Sequence, residues 1–152
     1  MATDYTPVYL PGEVISLTAS GTISPGDPVE VSGNATVAKV AGSNSPKCVG
    51  IAGNAALVNG RVTVFARSTV HEGKADGTVT AGDVVAASPT ANRQVITLAP
   101  MATNADVGAA FSQSAVNTAI NAVGTGVNND RAALGIALTT ATDGNIVRWM
   151  QT

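Results

Sequence analysis

The chain has 152 residues and a formal net charge of −2, and its 12% of charged residues is about half of the roughly 25% usual in soluble globular proteins. Its eight Lys and Arg are scattered from Lys39 to Arg148 without a cluster, which excludes the basic footprint of a nucleic-acid binder, and no apolar run approaches the roughly 18 residues of a membrane-spanning helix. One cysteine, Cys48, excludes an internal disulfide and a cysteine-rich metal site; flanked by Val49, Gly50 and Ile51, it reads as an inert buried thiol.

Ala, Val, Thr and Gly fill 80 of the 152 positions, so the apolar fraction is mostly small or β-branched. That composition predicts strands around a thin core, in one domain or in two halves sharing a core. A surface this poor in charge is weakly defended against association, and an assembly is expected.

In chain order, residues 1–12 come first. Met1-Ala2-Thr3-Asp4 lacks the basic and apolar regions of a signal peptide, so the chain is expected to stay in the compartment where it is made. Pro7 and Pro11 discourage helix, and the same segment holds both tyrosines. It reads either as an extended arm that pairs with a neighbouring molecule, anchored by Tyr5, Tyr9 and Leu10, or as the first strand of its own barrel.

Residues 13–152 read as a single β domain. Ile15-Ser16-Leu17-Thr18, Val29-Glu30-Val31-Ser32 and Val62-Thr63-Val64 alternate with period two, which predicts strands with one apolar face. The chain also repeats itself. Gly21-Thr22-Ile23-Ser24-Pro25-Gly26-Asp27-Pro28-Val29-Glu30-Val31-Ser32 matches Gly77-Thr78-Val79-Thr80-Ala81-Gly82-Asp83-Val84-Val85-Ala86-Ala87-Ser88 in the pattern G-T-I/V-S/T-x-G-D-x-V-x-x-S. Val49-Gly50-Ile51-Ala52 echoes Leu134-Gly135-Ile136-Ala137, and the stretch from Gly60 to Phe65 echoes that from Gly144 to Trp149. Phe65 and Trp149 then fall at equivalent positions and read as core or interface packing.

The three offsets are 56, 85 and 84 residues, giving repeat one over about 13–70 and repeat two over about 71–152, with an insertion at 99–127. In Ser24-Pro25-Gly26-Asp27 the proline presets φ and the glycine accepts a positive φ, which is type II turn chemistry; Ala81-Gly82 reproduces it. Gly26, Asp27, Gly82 and Asp83 therefore read as structural turn residues, the carboxylates accepting backbone N–H groups.

His71-Glu72 follows a predicted strand and reads as a solvated turn. In the insertion, Phe111, Ala115, Ile120 and Val123 recur at roughly helical spacing, with Asp106 in the first turn and Gly124 as a stop; the spacing predicts a helix from about Ala105 to Val123, the alternative being a long loop. The last strand, Ile146 to Met150, is interrupted by Arg148, which suggests a sheet edge or a contact between subunits.

The inventory for catalysis is thin. There is one histidine, His71, and no H-E-x-x-H, C-x-x-C, Walker A or G-x-S-x-G sequence. A zinc site needs three or four ligands, and no other His or Cys lies near His71. The carboxylates show no D-x-D or EF-hand spacing. Acid and base chemistry by Glu13, Glu30 or Glu72 would need the fold to bring them together. No catalytic, cofactor-binding or metal-binding residue is predicted, and the chain is not expected to be an enzyme. Asn34-Ala35-Thr36 matches a glycosylation sequon but reads as chance in the absence of a secretory signal.

Taken together, the repeated G-T-I/V-S/T-x-G-D-x-V turn, the Leu134-Gly135-Ile136-Ala137 block and the terminal Asp143-Gly144-Asn145-Ile146-Val147-Arg148 strand resemble the capsid cement, or head decoration, proteins of tailed bacteriophages, over roughly Leu10 to Met150. The helix-like insertion departs from the shorter members. The resemblance implies a small β-barrel or β-sandwich of two related repeats that binds the outer surface of an assembled phage capsid and stabilises it. It further implies a homotrimer, the major capsid protein as partner, the virion surface as location after synthesis in the host cytoplasm, and no catalytic residues. Tyr5, Val8, Tyr9, Leu10, Arg148 and Trp149 are the contact residues expected on that reading. The alternative is a carbohydrate- or receptor-binding β module on the virion surface, stacking sugars on Tyr5, Tyr9, Phe65, Phe111 or Trp149. An enzymatic rival, a small β-barrel hydrolase, would have to rely on His71.

Overall fold

The computed structural model describes residues 5, 13–41, 45, 47–88, 93–98, 117, 120, 121 and 132–152. They form the strands β1 (Val14–Ala19), β2 (Pro28–Gly33), β3 (Thr36–Lys39), β4 (Cys48–Ala52), β5 (Arg61–Phe65), β6 (Val70–Ala75), β7 (Val84–Ala87), β8 (Gln94–Thr97), β9 (Gly135–Ala137) and β10 (Ile146–Gln151). β1-β3-β2-β4-β5 close one barrel, and β6-β8-β7-β9-β10 close a second in the same order. The fold is mainly β, and each repeat is a barrel of its own. The expected helix from Ala105 to Val123 lies outside the described residues except for Asn117, Ile120 and Asn121, which are helical and exposed.

Composition explains the barrels. Five strands enclose a narrow interior, so the side chains pointing inward must be small or β-branched. In barrel 1 they are Ala19, Val29, Val37, Ala52, Val62 and Val64; in barrel 2, Ala75, Val85, Val95, Ala137 and Val147. Strand alternation delivers them: in β5 Val62 and Val64 face in while Arg61, Thr63 and Phe65 face out. The halves do not share one core. Each barrel has its own, and Ile51, on the outer side of barrel 1, packs into the core of barrel 2.

The ladders fix the repeat more finely than residue identity does. Ala52 N–H donates to Asp27 O and Ala137 N–H to Asp83 O; Ala19 N–H donates to Gly60 O and Ala75 N–H to Asn145 O. Val14 faces Phe65 in one barrel and Val70 faces Met150 in the other. The offset is therefore 56 up to the start of β2 and β7, and 85 through both β4 and β5. This corrects the sequence alignment of the last block. Gly60 corresponds to Asn145, because the left-handed post of that turn is held by Asn59 (φ 65°) in one repeat and by Gly144 (φ 75°) in the other. Phe65 and Trp149 are not equivalent: Trp149 holds the inward post of Val64, and Phe65 holds the outward post of Met150.

The glycine of the shared G-I-A block has a steric cause. A Cβ on Gly50 would lie 2.2 Å from Phe65 O, and one on Gly135 2.0 Å from Met150 O. At both places β4 or β9 crosses its neighbour so closely that only hydrogen fits.

Candidate functional site

The seam between the barrels holds the densest polar chemistry among the described residues. His71 is fully buried on β6, facing into barrel 2. The expectation of a solvated turn is thus corrected; β6 reads V-H-E-G-K-A, without the alternation that would mark it as a strand. The repeat itself carried a signal, since extending the 56-residue offset upstream sets Ala75 on Ala19 and His71 on Ile15.

Every polar atom of the imidazole is engaged. Thr69 Oγ1 donates its one proton to Ala66 O at 2.8 Å, so at 2.5 Å from His71 Nε2 it must accept. Gln151 Oε1 also accepts from Nε2 at 3.1 Å. On the other side Tyr5 Oη lies 2.9 Å from Nδ1 and accepts from Glu72 N–H at 3.2 Å, which leaves its own proton for Nδ1. The network therefore fixes neutral His71 with the proton on Nε2. Burial lowers its pKa from 6.5 to about 4, the Gln151 hydrogen bond opposing the shift. Tyr5 is pushed up to about 12, chiefly by burial.

Aromatic packing completes the seam. Tyr5 stacks on His71 at 5.8 Å and meets Phe65 edge-on at 6.3 Å, and His71 stacks on Trp149 at 5.6 Å. Trp149 Nε1 is buried without a hydrogen-bond partner among the described residues. Tyr5 N–H donates to Gly53 O of barrel 1 at 2.6 Å, so this one residue ties both barrels. A groove of about 460 Å³ opens beside it, with Glu72, Lys74 and Arg93 on its rim. Glu72 is taken by Arg148 at 2.6 Å and Arg93 faces Asp27 at 3.5 Å.

The residues singled out from sequence fall as follows. Gly26 has φ 83° and Gly82 φ 95°; the Asp27 and Asp83 carboxylates accept from Ser24 N–H and Thr80 N–H, both at 2.9 Å. Tyr5 folds back onto its own chain, while Val8, Tyr9 and Leu10 lie outside the described residues. Trp149 is buried in barrel 2. Arg148 is exposed on β10, which pairs with β6 on one side and β9 on the other, so it does not mark a sheet edge; its partner is Glu72 directly across the ladder. Burial pushes the Cys48 thiol up to about 11, which keeps it protonated. Among the described residues no three His, Cys, Asp or Glu cluster as a metal site, and no helix is long and apolar enough to cross a membrane.

No protein-family model matches the chain. No curated protein matches it either. Among solved structures the chain aligns with the N base of the head fiber of bacteriophage phi29, with a TM-score of 0.49 and 9% identity over 93% of this chain and 95% of that one.

Proposed function

We propose that the protein is a structural component of a phage virion: a cement or decoration protein that binds the outer surface of the assembled capsid as a homotrimer, contacts the major capsid protein and stabilises the shell. One observation carries the reading. Residues on which the resemblance to cement proteins rests, the Gly26-Asp27 and Gly82-Asp83 turns and the Gly135 crossing, hold posts that recur in two barrels of one order, Gly135 matching Gly50. The single histidine is neutral, buried and hydrogen-bonded on both nitrogens, which suits a packing role better than a proton shuttle. Phe65 and Trp149 pack within the chain and Tyr5 lies against both barrels, which counts against a sugar-stacking surface built on them.

Co-sedimentation with expanded, undecorated capsids of the virus that encodes the chain tests the proposal, with bound copies counted against the major capsid protein. Saturable binding at a ratio set by shell symmetry, such as one copy per capsid subunit, supports it. A folded protein that leaves those capsids bare overturns it.

A further inference from the structure

We infer that copies of the chain associate head to tail, the outer wall of barrel 2 in one copy seating on the β1–β3 face of barrel 1 in the next, in the manner that barrel 1 seats on barrel 2 within the chain. The inference deepens the self-association part of the reading above but needs no capsid, so the two can fail separately.

Equivalent posts in the two barrels differ in what covers them. The wall that barrel 1 turns toward the seam carries Pro28, Ile51, Gly53 and Phe65, joined across the sheet by the Pro28–Ile51 and Ile51–Phe65 pairs. Barrel 2 and Tyr5 cover it: Ile51 is 2% exposed, Pro28 and Gly53 are buried and Phe65 is half-buried. The equivalent wall of barrel 2 is Val84, Ile136, Leu138 and Met150, with Val84–Ile136 and Ile136–Met150 paired in the same way. These four are 40%, 39%, 47% and 40% exposed. The adjoining turn follows suit, since an added Cβ on Gly26 would touch Tyr5 and Arg93 within 3.6 Å, while one on Gly82 would meet nothing within 4 Å.

The receiving face is likewise filled in one barrel and open in the other. In barrel 2 it includes His71, under Tyr5, and Arg93, against Gly26 and Asp27. Their counterparts in barrel 1 are Ile15, 40% exposed, and the exposed Ala35. One molecule thus displays two faces equivalent to those that meet internally, without the Tyr5 that lies between them there. Neighbouring apolar side chains left open together on a soluble protein mark an interaction surface. A second copy supplies the matching shape, because its barrel 1 is a repeat of this chain's barrel 2. Repeating one operation between unlike faces gives a ring if the rotation closes and a filament if it does not. The ion pair across the internal seam, Asp27 with Arg93, has no counterpart, since Ala35 stands where Arg93 would be, so the association will depend little on salt.

Sedimentation velocity of the full chain across rising concentration is the test, with Ile136→Asp breaking the wall and Ile15→Asp breaking the face; Met150→Asp and Ala35→Asp serve where either fails to fold. Wild type should assemble beyond the 15.0 kDa monomer, with a midpoint shifting less than about twofold between low and high salt. Each variant alone should remain monomeric. An equimolar mixture should form a dimer and stop there, since one intact wall then meets one intact face. A wild type that stays monomeric, a folded variant that assembles like wild type, or a mixture that stays monomeric overturns the inference.

Discussion

Acidification should destabilise this protein at one buried residue, His71. In the unfolded chain His71 titrates near 6.5, and in the folded seam near 4. Between those values the unfolded state binds the extra proton and the folded state does not, so stability is full above pH 6.5 and falls as pH drops toward 4. A depression of this size is worth about 3 kcal/mol at roughly 1.4 kcal/mol per pKa unit, a large share of a typical total stability of about 5–15 kcal/mol. The structure shows why the folded state resists the proton. Protonated Nδ1 would point a hydrogen at Tyr5 Oη, which already accepts from Glu72 N–H and would have to turn its own proton away. Urea unfolding of wild type and of His71→Ile, the residue type that barrel 1 uses at this post, at pH steps from 7 to 4 isolates the effect from the carboxylates that both proteins share. Wild type should lose about 3 kcal/mol more than the variant over this range. Because the chain has one histidine, its ring proton resonance reports the pKa directly. Equal acid slopes in the two proteins, or a folded-state titration near 6.5, would refute the reasoning.

Further outcomes follow from the same geometry. Tyr5→Phe removes the proton donor to Nδ1 and leaves Glu72 N–H unpaired; unfolding should become easier by about 1–3 kcal/mol, and the His71 resonance should titrate at higher pH than in wild type. Gly135→Ala drives a methyl into Met150 O, and thermal melts should show a loss of about 3 kcal/mol or more, roughly 6–12 °C for a chain of this size, whereas Gly77→Ala, with open space around it, meets only the penalty of its positive φ. Arg148→Ala removes an exposed ion pair and should shift stability by less than about 1 kcal/mol, read by the same melts; a larger loss would mean that Arg148 does more than meet Glu72.

Much of the architecture was legible in the residues because it is enforced locally. A turn that needs a positive φ and a carboxylate to cap it writes Gly-Asp at Gly26-Asp27 and again at Gly82-Asp83. A narrow barrel interior writes Val and Ala at alternate posts, and a close crossing writes glycine at Gly50 and Gly135. The alignment slipped by one residue at Gly60 because either Asn or Gly can take the left-handed turn post, so identity and conformation parted there.

The sequence by itself thus determined two repeats, their turns, their strands and their thin cores, since each depends on residues near one another in the chain. Which wall of each barrel is covered was decided by tertiary structure alone. Ile51 and Ile136 stand in the same Gly-Ile-Ala context, yet one is 2% exposed and the other 39%. His71 reads as a polar residue beside Glu72, yet it is buried because Tyr5, from the segment ahead of repeat one, closes over it and satisfies its ring. Burial of this kind is a property of how two finished barrels meet, and no period or spacing within either barrel encodes it.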